Sequence, residues 1–125
     1  MAHNSHLGDA RATDRSRYGE LNLGQLVRQH YDRSALVGFT TYTGTVTAAS
    51  DWGRMHETKR VLPALAGSYE ALFHEAEMPR FLAIFSGDNR LSAEFRTERL
   101  ERAIGVIYRP ETERISHYRT DAGGS

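Results

Sequence analysis

Apolar residues along the chain fall into short, separated groups, and their spacing predicts alternating helical and extended elements. Residues 1–20 carry His, Asn, Asp, Arg and Gly with no clear period and read as a loop. From Asn22 the stretch NLGQLVRQHY sets Leu23, Leu26, Val27 and Tyr31 at helical spacing, which predicts a short amphipathic helix. ALVGFTTYTGTVTAASDWG is rich in β-branched and aromatic side chains. Its Thr43-Gly44 break divides it into strand, turn and strand, with strand character from Leu36 to Ala48. A loop from Met55 to Pro63 follows. Gly67-Ser68 introduces a second helix, in which Ser68 is the cap, Glu70 suits the positive end, and Leu72, Phe73 and Ala76 form one face. Pro79 ends it. RFLAIF reads as a buried strand and RAIGVIYR as another, and the turn PETE leads into RISHYR as its hairpin partner. The order is that of a mixed α/β fold.

Composition narrows the class without naming a function. The 125 residues suffice for one domain with its own core. Sixteen basic and sixteen acidic residues cancel, so the chain has little electrostatic attraction for nucleic acid or an anionic membrane, and neither is expected as a partner. The longest apolar run, FLAIF, is far too short to span a bilayer. The first twenty residues are polar and charged, unlike a signal peptide. There is no cysteine, hence no disulfide framework, thiolate nucleophile or cysteine-based zinc site. A soluble, cytoplasmic protein is the expectation.

Candidate chemistry reduces to histidine. The chain has no G-x-S-x-G elbow, no Gly-rich phosphate loop before a Lys and no H-E-x-x-H, so no cofactor is expected. Of six histidines, His30 and His74 fall on the two helices, His56 in a charged loop, and His117 beside Tyr118 in the final strand, where a structural hydrogen bond suits it. His3, Asn4, His6 and Asp9 stand apart as the compact pattern His3-x-x-His6-x-x-Asp9. Two imidazoles and a carboxylate suit three sides of an open zinc or manganese site. They equally suit acid–base work, one histidine deprotonating water while its neighbour stabilises charge. A frayed leader is the third reading of the same residues.

The order of five stretches discriminates further. AHNSHLGDAR, LNLGQLVR, VGFTTYTGTVTAASDWG, LPALAGSYEALFHE and RLERAIGVIYRPETERISHY occur in a sequence that resembles the erythromycin esterase family from Ala2 to about Tyr118. That resemblance implies a partial mixed sheet with flanking helices, the C-terminal portion of an esterase-like domain over residues 1–118, with an unstructured tail at 119–125. It implies hydrolysis of a carboxylic ester or macrolide lactone, and with it a role in macrolide resistance. His3 and His6 would be the catalytic residues, activating water without a metal. The family's Gly-Glu-x-x-His-Gly segment has no counterpart in the chain. The expectation is therefore an incomplete or inactive fragment, cut at both ends. The alternatives are a non-catalytic remnant or interaction subunit that needs a partner chain, and a metal-dependent hydrolase using His3, His6 and Asp9. Self-association through exposed strand edges is expected as well.

Overall fold

Short polar side chains decide where the helices begin. In the computed structural model, which describes residues 3–85 and 89–120, each of the four α-helices starts behind a side chain that accepts a free N–H of its first turn. His3 caps α1 (Asn4–Leu7), Asn22 caps α2 (Leu23–His30), Ser68 caps α3 (Tyr69–Glu75) and Asn89 caps α4 (Arg90–Glu94). Such a cap is worth about 1 kcal/mol, a large share of what holds helices this short. With two two-stranded sheets among these helices, the fold is mixed α/β.

The chain forms two compact units. One holds residues 3–39, 80–85, 89–99 and 119–120. Its N-terminal stretch, expected to be a loop, is instead a succession of helical turns: α1, then 3-10 turns over Ala10–Ala12 and Asp14–Tyr18. Polar side chains close these turns locally, so no apolar period was needed to form them. The segment at 81–85, expected as a buried strand, has no regular structure, and Phe81, Leu82 and Ile84 are exposed. Apolar content alone does not make a strand, because its N–H and C=O groups need a neighbouring ladder. Phe85 does pack on Phe95, with ring centroids 5.2 Å apart.

The other unit holds residues 40–79 and 100–118. Strands β1 (Gly44–Ala49) and β2 (His56–Val61) form an antiparallel hairpin with Val46 opposite Lys59 and Ala48 opposite Glu57. The hairpin therefore lies later than expected. Thr43-Gly44 marks where β1 begins, and the stretch expected to be a loop from Met55 contains β2. The turn is made by Asp51, whose carboxylate accepts the Trp52 N–H at 2.8 Å, and by Gly53 at φ +73°, a left-handed position. HETKRV escapes an apolar-pattern reading because five of its six side chains are polar and only Val61 is fully buried. Residues 35–41 have no regular structure.

RAIGVIYR is not one strand. β3 covers Arg99–Arg102, and beyond Gly105 the chain only brushes the hairpin, as a parallel bridge from Ile107 to Ala49. PETE opens a 3-10 segment, Pro110–Ser116, kinked at Thr112, with Pro in its first turn where no N–H is missed. β4 (His117–Thr120) pairs with β3, so the partner of RISHYR is RLER and not the RAIGVIYR segment expected, of which only Arg102 lies in a strand. β4 ends two residues beyond the boundary expected at 118, and 121–125 lie outside the described residues. α3 stops at Glu75, ahead of Pro79, with Glu77 in a left-handed conformation at φ +55°.

The apolar core of this unit is small: Ala48, Val61 and Tyr108, with Val46 and Ile104 against them. A buried polar network does the rest. Arg102 donates through Nη1 to the carbonyls of Thr41 and Tyr42, both at 3.0 Å, and through Nη2 to that of Leu62 at 2.8 Å. Its Nη2 also lies 3.0 Å from Glu113 Oε1, and both side chains are almost wholly buried. Tyr108 donates its hydroxyl hydrogen to Glu113 and accepts the Leu62 N–H at 3.1 Å. Burial, then the bond to Glu113, pushes the Tyr108 phenol above its ordinary range. Glu70, in the first turn of α3, accepts the backbone N–H of Arg102 at 3.1 Å and the Thr40 hydroxyl at 2.5 Å.

Two outcomes follow from this architecture. Arg102→Met strands Glu113 as a buried, uncompensated charge, so urea unfolding should show a loss of about 3–5 kcal/mol, or no cooperative transition. A loss below about 1 kcal/mol would show that water reaches Glu113. Exposure of Phe81, Leu82 and Ile84 leads to self-association, seen by light scattering as a species larger than the 14.1 kDa monomer. A strict monomer at high concentration would contradict it.

Candidate active site

The histidine pair sits on α1, and the chemistry of its neighbours explains why this turn forms. His3 takes the cap position, with Nδ1 accepting the Ser5 N–H at 3.3 Å and the Ser5 hydroxyl 2.9 Å away. Nδ1 as acceptor of the Ser5 N–H fits the tautomer with hydrogen on Nε2. His6 is one turn on. The two rings meet edge to face with centroids 6.4 Å apart, and both residues are exposed.

Two asparagines hold the turn. Asn4, between the histidines in sequence, pairs its side-chain amide with the Phe39 peptide, donating to its carbonyl and accepting its N–H at 3.4 Å. Asn22 caps α2 by accepting from Gln25 N at 3.0 Å, and its Nδ2 donates to the carbonyls of Ser5 at 3.1 Å and Gly8 at 2.6 Å. The fit is close enough to require Gly24, where a Cβ would lie 1.9 Å from the Leu7 carbonyl oxygen. Sequence reasoning singled out Asn4 without giving it a role, and missed Asn22 as a site residue. Asn22 offered a signal, since Asn before a helical period is a cap, but its second use depends on a partner 14 to 17 residues away.

Asp9 does not join the histidines. Its carboxylate is buried and held by Arg11, Oδ1 to Nε at 2.9 Å and Oδ2 to Nη2 at 2.5 Å, with the Arg11 N–H at 3.0 Å. Among the described residues no three His, Asp or Glu side chains converge as metal ligands. In this structure Arg11 holds the carboxylate that the three-ligand reading of the spacing would need. A cavity of about 220 Å³ in the same unit is lined by Arg11, Arg17 and Arg119 against Asp14 and Glu98, and includes neither histidine. Glu98 lies 3.2 Å from Arg119 and 3.7 Å from Arg17.

The remaining histidines do other work. His30 packs edge-on to Tyr31 at 4.7 Å, and His74 stacks on Tyr42 at 3.8 Å. His56 opens β2, exposed. His117 is buried with Nδ1 3.1 Å from the Glu113 carbonyl, the structural hydrogen bond expected of it.

A turn presenting paired imidazoles, backed by side-chain amides and followed by a closed Asp–Arg pair, is the N-terminal part of a sequence that the erythromycin esterase family model matches over residues 1–122. The chain belongs to the erythromycin esterase family. No solved structure matches it. Among the described residues no helix is long and apolar enough to cross a membrane.

The Asp9–Arg11 pair gives a pH signature. The Arg11 side chain first, against the opposing effect of burial, holds the Asp9 carboxyl below the usual carboxylate range. A lowered folded value means stability that is complete above the unfolded pKa and is lost as pH falls through the folded one. The stability gap between wild type and Arg11→Ala, by urea unfolding, should be full near pH ~6, well above the ordinary carboxylate pKa, and shrink as the pH falls below that pKa. A gap independent of pH would remove the carboxylate as its source.

Proposed function

We propose that this chain carries the histidine half of an ester or lactone hydrolase site, with His6 as the base that activates water and His3 as the donor that stabilises the developing oxyanion. The observation that carries this reading is the Ser5 N–H on His3 Nδ1. In this reading the His3 Nε2–H is the donor to the carbonyl oxygen, and His6, one helical turn away, supplies the lone pair for a water proton. Attack on the carbonyl gives a tetrahedral oxyanion. The proton taken by His6 is returned to the leaving alkoxide as the C–O bond breaks. The substrate class, a carboxylic ester or macrolide lactone, is carried over from the family, and no metal or other cofactor enters the scheme.

A second reading, a non-catalytic subunit completed by a partner chain, draws on the exposed apolar residues at 81–84. Both readings agree that the turn alone is insufficient, because groups that act as a unit fail as a unit.

The assay separates them. Alone, the chain should hydrolyse a p-nitrophenyl ester no faster than its His6→Ala variant. Supplied with a segment of a full-length relative bearing Gly-Glu-x-x-His-Gly, it should turn over, and His6→Ala should then lower kcat/KM by about 10²–10⁴-fold. Turnover by the unaided chain that vanishes in His3→Ala or His6→Ala would refute the half-site. Absence of turnover in the complemented form favours the non-catalytic subunit.

A further inference from the structure

We infer that Asn22 is a positioning residue for the histidine pair, acting through the backbone of α1; this rests on the acid–base reading of His3 and His6. A four-residue helix has one turn of hydrogen bonds and is far below the length at which a helix is stable in water. Something outside it must hold it, and the two carbonyls that flank its C-terminal half, those of Ser5 and Gly8, both accept from Asn22 Nδ2. Each hydrogen of that NH2 group is thereby committed to one carbonyl, and the amide oxygen to Gln25 N. One side chain starts α2 and clamps α1 at the same time. Gly24 completes the clamp by letting the α1 backbone approach the first turn of α2 at a distance no other residue allows.

The clamp sets where the imidazoles point. Ser5, whose carbonyl Asn22 grips, is also the residue whose N–H selects the His3 tautomer. Gly8, gripped on the other side, closes the turn that carries His6 by donating its N–H to Asn4 O at 3.0 Å. Loss of the amide hydrogens should release both rings while leaving α2 capped.

Asn22→Asp makes that separation, since a carboxylate still accepts from Gln25 N but donates nothing to Ser5 or Gly8. The readouts are the imidazole 1H–15N spectrum of the full chain and the through-space NOE spectrum of its ring protons, with circular dichroism as the control for folding. The expected result is retained helix signal, loss of the cross-peak between the His3 and His6 rings, and a His3 that moves from the single Nε2–H tautomer to the mixture of a free histidine. Gly24→Ala, which leaves the amide intact but pushes α1 away, should give the same spectral change. Wild-type ring signals in Asn22→Asp would overturn the inference. If Asn22→Asp does not fold, the side-chain NH2 of Asn22 in the wild type decides. Two hydrogens protected from exchange support the clamp, and exchange at the rate of a free asparagine overturns it. Neither readout uses turnover, so an inactive chain counts against the hydrolase reading and not against this one.

Discussion

Arg102 places a guanidinium where water does not reach, and the architecture of its unit follows from supplying that group with acceptors. The carbonyls it draws in come from residues 41, 42 and 62, which lie on either side of the hairpin, and its counter-charge comes from Glu113 in the 3-10 segment. Segments far apart in sequence thus share one donor. The small apolar cluster of Ala48, Val61 and Tyr108 could not order them by itself. A buried ion pair is a poor source of net stability but a demanding one in geometry, because any arrangement that misses an acceptor leaves a charge stranded. Tyr108 extends the same logic, joining Glu113 to the backbone at Leu62 from within the apolar cluster.

The histidine-bearing unit uses neutral amides to the same end. Asn4 imitates a peptide against Phe39, and Asn22 imitates two rungs of a ladder against α1. Both place a functional turn without an apolar face to bury. Such support under exposed imidazoles is what the proposed acid–base role asks of a scaffold. Family membership and this local construction therefore point the same way. The first fixes the class of protein, and the second underlies the unequal roles proposed for the two imidazoles.

Asp9 illustrates how spacing misleads. His3-x-x-His6-x-x-Asp9 satisfies the distances along a helix that a metal site would need. α1, however, ends at Leu7, and Asp9 begins the next turn, where a guanidinium two residues on takes both oxygens. The competition was between a cation that must be recruited and one already tethered, and the tethered one holds the carboxylate.

What the sequence by itself determined is local. The Ser68 cap, the α2 period, the start of α3 and the order of family motifs all depend on residues close together in the chain, so pattern and propensity reached them. The hairpin and the stretch at 81–85 were misplaced because strand status belongs to pairs of segments. HETKRV is a strand because GTVTAA lies beside it, and FLAIF has no regular structure despite its apolar content. The site divided in the same way. His3 and His6 were legible as residue types at a spacing, whereas their support by Asn4 and Asn22, the loss of Asp9 to Arg11 and the burial of Arg102 with Glu113 were not. Those depend on which carbonyl or carboxylate a side chain meets after folding. Only tertiary structure decides that, because a buried polar group takes whichever partner the packed backbone leaves within reach.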